Sequence, residues 1–429
     1  MPFETNQTPP RRVAVIGGGI SGMGAAHALA RNHHVVLFEA EPRLGGHART
    51  VIAGKRGDQP VDTGFIVFNR VNYPNMVKLF EDLDVPIAAS DMGFGASFGG
   101  GQFEYALRNI DTLFAQRRNA FNPAYLRMLA DIHRFNTRAV SLADDPGQTI
   151  GQFLDRLGTG PWFRDRYILP LSGAIWSTPK EGILDFPAHA LIRFFKNHAL
   201  LGATGQHPWF TVRGGSVEYV RRLEASLAAR GVDLRTGTPV AEVRRTVAGC
   251  EVTVAGQGAE PFDDVIFATH SDQSLAMLAD PTPTERAALS AVRYQPNRAV
   301  LHADTSMMPR RRRAWASWVY TEAAERKSDR IDLTYWMNSL QPIPKDDPLF
   351  VTLNAQRDIN PALIHDEVDF MHPVYDLAAL AAQDTIRAIN GQQGTWFCGA
   401  WMRNGFHEDG LASAYEVADA LNLRPAVAA

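Results

Sequence analysis

The stretch 12-RVAVIGGGISG-22 decides the fold class of this 429-residue chain. A short apolar run of β-strand character is followed at once by three glycines in G-x-G-x-x-G spacing. Residues 23–32 then carry apolar side chains at helical spacing, and a second apolar run, 35–38, ends at Glu39. This is the element order of a dinucleotide-binding βαβ unit: strand, glycine-rich turn, helix, and strand with a terminal acid. The sequence therefore predicts a Rossmann-like α/β unit.

Each residue type in this unit has a physical task. Gly17 allows the tight turn, Gly19 lets the backbone approach a pyrophosphate, and Gly22 permits close packing of helix against strand. Unpaired N–H groups at the helix start favour phosphate, and the acid that ends the second strand can accept hydrogen bonds from a ribose. A βαβ unit without a ligand is the alternative interpretation. The predicted cofactor contacts here are Gly17, Gly19, Ile20, Ser21, Gly22 and Glu39.

The following loop, 38-FEAEPRLGGHART-50, distinguishes FAD from NAD. Together with 62-DTGFIVFN-69 it resembles the flavin amine oxidase superfamily, which includes monoamine and polyamine oxidases, protoporphyrinogen oxidase and the phytoene desaturases. The resemblance implies that the loop follows the pyrophosphate and ribityl chain of FAD, and that the second segment lies near the flavin ring. Bare backbone at the paired glycines suits this approach, and the loop arginines can face phosphate. The predicted contacts are Ala40, Arg43, Gly45, Gly46, His47, Arg49, Thr50, Gly64, Phe65 and Ile66.

The same resemblance implies further cofactor segments far along the chain. A helix over about 216–230 precedes Val240, whose backbone would hold the adenine. The run 264–270 is similar to the family's strand and A-T-P turn, and 395–414 is similar to its last flavin motif. Many members carry an acid where Ala400 stands, so that contact would fall to the backbone. The implied contacts are Val240, Ala268, Thr269, Gly399, Ala400, Gly410, Leu411 and Ala412.

The order of these segments predicts an amine-oxidase-like architecture of two domains. A Rossmann-like FAD-binding domain would be assembled from discontinuous segments, and an inserted α+β substrate domain from the remainder. The glycines of 93–101 lack the dinucleotide spacing and are typical of a flexible turn between short strands. With no second G-x-G-x-x-G, electrons would pass to oxygen, to a quinone or protein acceptor, or back to the substrate. The predicted segments are 1–75, 205–285 and 391–429 for FAD, and 76–204 and 286–390 for the substrate.

Composition narrows the class of function. The net charge of −3 argues against a nucleic-acid-binding protein held by phosphate neutralisation. Cys250 and Cys398 lack metal-type or redox-type neighbours, so we expect a disulfide-free cytoplasmic protein with no metal and with non-covalent FAD. No apolar run approaches the roughly 20 residues that span a bilayer.

The substrate is the harder question. Amine oxidases of the superfamily commonly carry a lysine near the flavin, and none occurs in 290–304, where we would place that strand. His302 lies there instead, and a lone histidine on a strand is typically structural. Aromatic and apolar segments favour a long apolar pocket, with core packing as the alternative, although tryptophans could also form a cation cage. The predicted substrate contacts are Trp176, Tyr335, Trp336 and Trp401.

Two charged segments have open interpretations. The run 309-PRRRRAWASW-318 is typical of a solvated hairpin tip, with peripheral contact to an anionic membrane as the alternative. The cluster 407-HED-409 fits no common metal motif and is typical of a helix cap. If the cluster takes part in chemistry, His407 is the best candidate for a catalytic base.

The combination of GFIVFNRVNYPN, AIWSTP, LTYWMN and GFHEDGL resembles a bacterial subfamily of predicted NAD/FAD-binding proteins. It is also similar to the oxidase-like half of plant cyclopropane fatty acid synthases. That resemblance implies a lipid-like acyl substrate and a lipid methyltransferase as a partner. Acyl desaturation is the first hypothesis. Amine oxidation, redox-neutral fatty-acid isomerisation and a non-catalytic flavoprotein partner are the alternatives.

Overall fold

The computed structural model describes residues 10–145, 147–202, 205–325 and 331–423. Its strands are, in chain order, β1 (Arg12–Ile16), β2 (His34–Phe38), β3 (Thr50–Ala53), β4 (Gln59–Asp62), β5 (Val67–Asn69), β6 (Ile87–Ser90), β7 (Phe94–Phe98), β8 (Phe103–Ala106), β9 (Trp209–Val212), β10 (Asp233–Arg235), β11 (Val240–Thr246), β12 (Gly249–Val254), β13 (Ala259–Phe262), β14 (Asp264–Phe267), β15 (Arg293–His302), β16 (Trp318–Thr321), β17 (Asp332–Trp336), β18 (Phe350–Leu353), β19 (Ile364–Val374) and β20 (Thr395–Phe397).

The helices are, in chain order, α1 (Ile20–Leu29), α2 (Pro74–Asp82), α3 (Ile110–Leu113), α4 (Pro123–Leu142), α5 (Ile150–Leu157), α6 (Pro161–Phe163), α7 (Leu169–Trp176), α8 (Lys180–Leu184), α9 (Ala188–Asn197), α10 (Val217–Ala229), α11 (Ser271–Met277), α12 (Pro283–Ala291), α13 (Met337–Leu340), α14 (Leu377–Ile389) and α15 (His407–Asn422). Among the described residues, none of these helices is both long and apolar enough to cross a bilayer.

A five-stranded parallel sheet forms the centre of the nucleotide-binding part, in the order β10-β2-β1-β14-β20. Its strands come from both ends and the middle of the chain. β1 and β14 are buried almost throughout, as expected for a parallel sheet covered on both faces. Helices α1, α10 and α15 pack together beside this sheet. The predicted α/β class, with a Rossmann-like sheet of discontinuous segments, is confirmed.

An antiparallel meander, β11-β12-β13, lies over the other face of the parallel sheet. Alternate residues of β12 are buried, which is the period-two pattern of a strand with one covered face. A shared apolar core joins this meander to α12 and α14. The parallel sheet is therefore covered on both sides.

The second large sheet has seven strands in the order β19-β15-β18-β17-β16-β7-β8. It pairs antiparallel throughout except at β7 and β16, which run parallel. Helices α4 to α9 share with it an apolar core rich in aromatic side chains. This is the α+β partner predicted for the Rossmann-like part, while the exact domain boundaries stay a prediction.

The segment 93–101 differs in part from its prediction. Residues Phe94–Phe98 form the fully buried strand β7, and only the following glycines turn the chain, all three with positive φ. The small residues of β7 lie close to neighbouring backbone: a Cβ on Gly95 would lie 2.6 Å from the carbonyl oxygen of Ala314. The glycines therefore permit close strand packing as well as a turn.

Candidate functional site

The glycine loop after β1 fits between β14 and the start of α1. Gly17 has φ +105°, and a Cβ there would lie 2.9 Å from the Ala268 carbonyl oxygen. A Cβ on Gly22 would lie only 1.8 Å from the Gly17 carbonyl oxygen, whereas one on Gly19 would meet no atom of the described residues within 4 Å. Gly17 and Gly22 are thus required by the fold. Gly19 leaves open space beside the helix start.

Two helices begin at this open space. Gly410, in the first turn of α15, lies against Ser21 in the first turn of α1, where a Cβ would be 2.7 Å from the Ser21 Oγ. The first N–H groups of a helix have no partner within the helix, and no side chain caps Gly19 at the start of α1. Ser413 Oγ accepts a hydrogen bond from the Gly399 N–H at 2.9 Å and so fixes the chain that leads into α15. Two positive helix ends and bare backbone form a cradle that fits a pyrophosphate.

Glu39 ends β2 at the edge of this cradle. Its Oε2 accepts a hydrogen bond from the Gly18 N–H at 2.6 Å, and its Oε1 accepts one from the Glu41 N–H at 2.7 Å. The remaining lone pairs of the carboxylate can still accept ribose hydroxyls. The Thr238 N–H donates to the Glu39 carbonyl at 2.8 Å, which brings the start of β11 at Val240 to the same side. Ala40 follows directly.

The loop after Glu39 closes over the glycine turn. The Gly45 N–H donates to the Gly18 carbonyl at 2.8 Å, and Gly46 lies against Gly19, with 3.2 Å between a built Cβ and the Gly19 Cα. Arg43 donates to the carbonyl oxygens of Gly46 and Ala48, at 3.1 and 3.2 Å. The loop is therefore held in shape by its own hydrogen bonds, and Gly45 and Gly46 lie beside the cradle.

Both loop arginines have protein partners. Arg43 holds the loop carbonyls and pairs with Glu41, and Arg49 forms a bidentate ion pair with Asp366 at 2.5 and 3.1 Å. Contact of these two arginines with phosphate stays a prediction, and any such contact would be made by guanidinium groups that already have protein partners. A sequence shows the charges but not the acids that they meet in the folded chain.

Asp62, at the end of β4, connects β3, the start of α10 and the segment after α13. Its buried carboxylate accepts hydrogen bonds from the Thr50 hydroxyl, from the N–H and hydroxyl of Ser216, and from Gln341 Nε2. Burial raises the pKa of Asp62 to about 6. Gly64 follows, with no room for a side chain, because a Cβ would lie 2.0 Å from the His47 carbonyl oxygen. Thr50 and Gly64 thus form one junction, with Phe65 and Ile66 next along the chain.

A group of aromatic rings lies where this junction meets β15 and β19. The ring of His47 lies 4.9 Å from that of Phe370, 5.8 Å from His372 and 6.1 Å from His270, and His270 stacks on Tyr294 at 4.3 Å. We call these five residues the ring cluster. Each of its histidines retains some exposure, so it borders open space.

The three imidazoles of the ring cluster are held neutral. Burial lowers the pKa of His372 to about 4 and that of His270 below its usual value. The pKa of His47 is well below its usual value, first through burial and then through the neighbouring imidazoles and Arg43. At His47 and His372 burial and the neighbouring basic groups all lower the pKa, whereas at His270 the Asp272 carboxylate acts in the opposite direction and is outweighed by burial.

Sequence reasoning found only His47 of the ring cluster. Phe370 and His372 alternate on β19 and so face the same side, which a period-two reading of that strand could have found. Asn354 donates to the Asn297 Oδ1 at 2.7 Å, which directs the Asn297 Nδ2 toward the His372 Nδ1 at 3.2 Å. The Nδ1 of His372 is therefore an acceptor.

His407 was the predicted candidate for a base, and the structure gives it a structural environment. Its Nε2 lies 2.8 Å from the Tyr219 hydroxyl, and its ring stacks on Phe65 at 4.1 Å. Burial lowers its pKa to about 3. Its acidic neighbours cap helices: the Glu408 carboxylate accepts the first N–H groups of α2, and Asp409 accepts the Phe406 N–H before α15. Both acids of the cluster therefore act as helix caps, Glu408 for α2 and Asp409 for α15.

The four aromatic residues predicted to contact substrate do not form one wall. Trp176 packs between Phe186 and Phe194, in the core of the helical region. Tyr335 and Trp336 are neighbours on β17 and therefore point to opposite faces of the sheet. Trp401 is fully buried with its indole N–H on the Thr269 carbonyl, at 3.1 Å. Trp401 fixes the turn at Ala268 and Thr269 and packs against Gly399, beside Ala400.

Within the described chain, β15 carries no lysine, and Lys327 lies outside the described residues. Nor do the described residues contain a group of three or more metal-ligating side chains arranged to hold an ion. The His302 Nε2 and the Thr352 hydroxyl form a hydrogen bond of 2.7 Å inside the sheet. The strand opposite the cradle thus supplies aromatic and amide groups rather than an amine.

Comparison with known proteins agrees with this geometry. The family described as flavin containing amine oxidoreductase matches residues 20–305, well over half of the chain. The chain belongs to this family. It is a flavin-containing oxidoreductase of the amine oxidase superfamily, and the cofactor that the family implies is FAD.

Curated relatives of this flavin oxidoreductase match short segments. Carotenoid phi-ring synthase from Chlorobaculum tepidum is 40% identical over 94 residues, which cover 21% of this chain and 14% of that protein. The tryptophan 2-monooxygenase of Pantoea agglomerans pv. gypsophilae is 56% identical over 48 residues, covering 11% of this chain and 8% of that one. The chain thus matches only a small part of the length of these relatives.

Among solved structures, a fatty acid isomerase from P. acnes that produces CLA aligns with a TM-score of 0.67 at 12% identity, covering 96% of this chain and 98% of that one. Identity this low shows the shared fold alone.

Proposed function

We propose that this flavin oxidoreductase desaturates an unsaturated or methyl-branched fatty acyl chain. The observation that carries the proposal is the electrostatic character of the ring cluster. Burial holds its three imidazoles uncharged, and an acid, Asp272, acts against burial only at His270. An ammonium substrate would need a carboxylate or an electron-rich cage at the reacting carbon. A neutral wall of imidazole and aromatic rings suits a hydrocarbon, and because the Phe370 and Tyr294 rings can also face a cation, amine oxidation is the second candidate.

The residues present fit FAD. Gly19 and the first turns of α1 and α15 would hold the pyrophosphate, Glu39 the ribose, and the backbone near Val240 the adenine. When bound, FAD supplies the hydride acceptor that oxidation of a C–H bond requires. Burial raises the pKa of the Cys398 thiol to about 12, so this thiol is a poor nucleophile, and we expect the cofactor to be non-covalent.

The chain's own share of the reaction is binding, exclusion of water and removal of a proton. The uncharged rings of the ring cluster, which border open space, offer apolar surface for an acyl chain. Among the described residues, no hydrogen bond reaches a ring nitrogen of His47, and the ring borders open space. A neutral imidazole in that position can accept the proton that leaves the carbon next to the oxidised one, and its lowered pKa makes it a weak base for that step. We assign this role to His47, in place of His407.

The test is anaerobic absorbance of the flavin during titration with two panels of compounds. One panel holds phospholipids and free acids with unsaturated or methylated acyl chains, and the other holds primary and secondary amines. Bleaching by acyl compounds, together with a new double bond by mass spectrometry, supports the proposal. Bleaching by amines alone would refute it. Conversion of an acyl chain to an isomer without net bleaching of the flavin would show that the reaction is isomerisation and not desaturation.

A pair of variants tests the role of His47. His47→Gln should keep the flavin content yet slow reduction of the flavin by the acyl substrate and change the pH profile of its rate. His365→Gln is the control, because His365 lies on β19 with an exposed side chain. Unchanged reduction of the flavin in His47→Gln would remove this residue from the mechanism but leave the substrate class unaffected.

The sequence resemblance also implies a lipid methyltransferase as a partner. Its absence from co-purification experiments would argue against that partner.

A further inference from the structure

A pocket separate from the cofactor cradle lies beside the seven-stranded sheet, where β7 and β16 end. Its volume is about 530 Å³, within the usual range for small-molecule sites. Ser97 and Thr321, which face each other on the paired strands, line one side, and Trp315 and two arginines line the other. None of the residues predicted to contact FAD lines this pocket.

The pocket carries a surplus of positive charge. Arg310, Arg312 and Arg357 line it, and Glu104 is its acid. The Glu104 carboxylate is already satisfied by the N–H groups of Arg310 and Arg311, at 2.8 and 3.2 Å, and by an ion pair with the Arg311 side chain. Among the described residues, neither Arg310 nor Arg312 forms an ion pair with a carboxylate.

Both of these arginines are exposed, and each rests against one neighbouring group. The Arg310 side chain crosses Gly101, where a built Cβ would lie 2.8 Å from its Cδ, and this glycine has φ +92°. The Arg312 guanidinium stacks on the Trp315 ring at 3.7 Å. The Trp315 indole N–H is itself anchored on the Pro309 carbonyl at 2.9 Å. Packed guanidinium groups lose less freedom on binding a ligand than free surface arginines do.

The pocket wall also contains polar atoms that lack a partner. Thr321 is 4% exposed, and its Oγ1 has no hydrogen-bond partner among the described residues. The Arg357 Nε is likewise buried without a partner, while its terminal nitrogens donate to the Ser306 and Met307 carbonyls. The positive charge of Arg357 is balanced by Asp332. Burial raises the pKa of Asp332, and Arg357 lowers it by a smaller amount. Buried polar groups are normally satisfied, so unpaired ones at a pocket wall indicate a missing ligand or solvent.

We propose that this pocket binds the phosphate group of a phosphate ester. Arg310 and Arg312 would pair with the phosphate oxygens, the Thr321 hydroxyl would donate to one of them, and the Trp315 ring would face the organic part. A phosphate alone would leave much of the volume empty, which favours an ester over the inorganic ion. The ester can be a soluble metabolite or the headgroup of a phospholipid. The inference is independent of the proposed reaction at the flavin.

The experiment measures binding of glycerol phosphate and inorganic phosphate to the flavin-loaded protein by calorimetry. Vesicles of phosphatidylglycerol and of phosphatidylcholine form a second arm, read by sedimentation. The variants are Arg310→Gln with Arg312→Gln, Thr321→Val, and the control Arg313→Gln. Arg313 belongs to the same basic run but faces Asp111 outside the pocket. We expect the double variant to weaken binding about tenfold or more, and Thr321→Val by several-fold.

Each outcome bears on the proposal. Saturable binding of glycerol phosphate with this pattern of variants supports a soluble ester. Binding to phosphatidylglycerol vesicles alone, with the same pattern, supports a headgroup. Equal weakening by Arg313→Gln would identify a diffuse basic surface and overturn the pocket assignment, as would the absence of binding in both arms. Flavin content and thermal stability of each variant show that the fold is retained.

Discussion

Gly19 and Gly22 offer a direct test of the cofactor cradle, because the structure predicts opposite consequences for the same substitution. At Gly19 the backbone is extended, with φ −75° and ψ −176°, and an added Cβ meets nothing within 4 Å. Alanine there restricts the unfolded chain, which stabilises by about 0.4–1 kcal/mol. It is also a poorer N-cap than glycine, which costs about as much. Gly19→Ala should therefore fold with nearly unchanged stability.

FAD affinity should nevertheless fall in Gly19→Ala, because the new methyl group occupies the space that the pyrophosphate needs. Loss of one charge-assisted hydrogen bond costs about 1.5–3 kcal/mol, which corresponds to roughly 10- to 150-fold weaker binding. Gly22→Ala instead places a Cβ 1.8 Å from the Gly17 carbonyl oxygen. Overpacking against backbone should lower the free energy of unfolding by about 3 kcal/mol.

The assays are urea unfolding of each apoprotein and titration of each with FAD, followed by quenching of flavin fluorescence. The informative comparison is between the two variants, since both add one methyl group within the same turn. If Gly19→Ala binds FAD as tightly as the unaltered protein, the turn does not approach the phosphates and the cradle has been placed wrongly. If both variants lose stability equally, the open space beside Gly19 is not real.

Three further predictions concern charge and the state of the cofactor. Glu408→Gln should lower the free energy of unfolding by about 1–3 kcal/mol, because its amide would face the Met76 N–H at 3.0 Å; the exposed Asp419→Asn serves as control in urea titrations. Because burial raises the pKa of Asp62 from 3.8 to about 6, its contribution to stability is complete below pH 3.8 and lost as pH rises through 6. Between pH 4 and 7.5 the free energy of unfolding should therefore fall by about 3 kcal/mol less in Asp62→Asn than in the unaltered protein. An equal fall in both proteins would contradict the buried carboxylate. FAD should be released into the supernatant by acid precipitation, whereas flavin that stays with the pellet would reveal a covalent bond.

The nucleotide-binding half was predictable because its signals are local. A glycine with positive φ, a helix start and a strand-terminal acid each leave a mark within a few residues, as Gly17 and Glu39 do. The second half was harder. In β7, three consecutive small residues between two phenylalanines make room for neighbouring backbone, and the sequence therefore resembles a turn.

The parts of the site that are formed by backbone were predictable from the sequence. The parts that depend on pairing between side chains were less so. Arg43 and Arg49 carry the right charge for phosphate, but Arg49 meets Asp366, which lies 317 residues further along the chain. His372 and Tyr294 have no motif, because β15 and β19 bring them to His270 only through sheet register. Such long-range pairings depend on the folded topology and leave no spacing that a single sequence displays.

The cradle is held together by protein contacts that do not involve a cofactor. The Gly45 N–H bonds to the Gly18 carbonyl, the Thr238 N–H bonds to the Glu39 carbonyl, and Ser413 holds Gly399. The Thr238 bond joins the middle of the chain to its beginning, and the pairing of β1, β14 and β20 brings in the end of the chain, so the cradle forms when the sheet forms. A site that is ordered before binding loses little conformational entropy when the ligand enters. FAD should thus stabilise the fold by mass action alone, by about 2.7 kcal/mol at a free concentration one hundred times its Kd, without remodelling the chain.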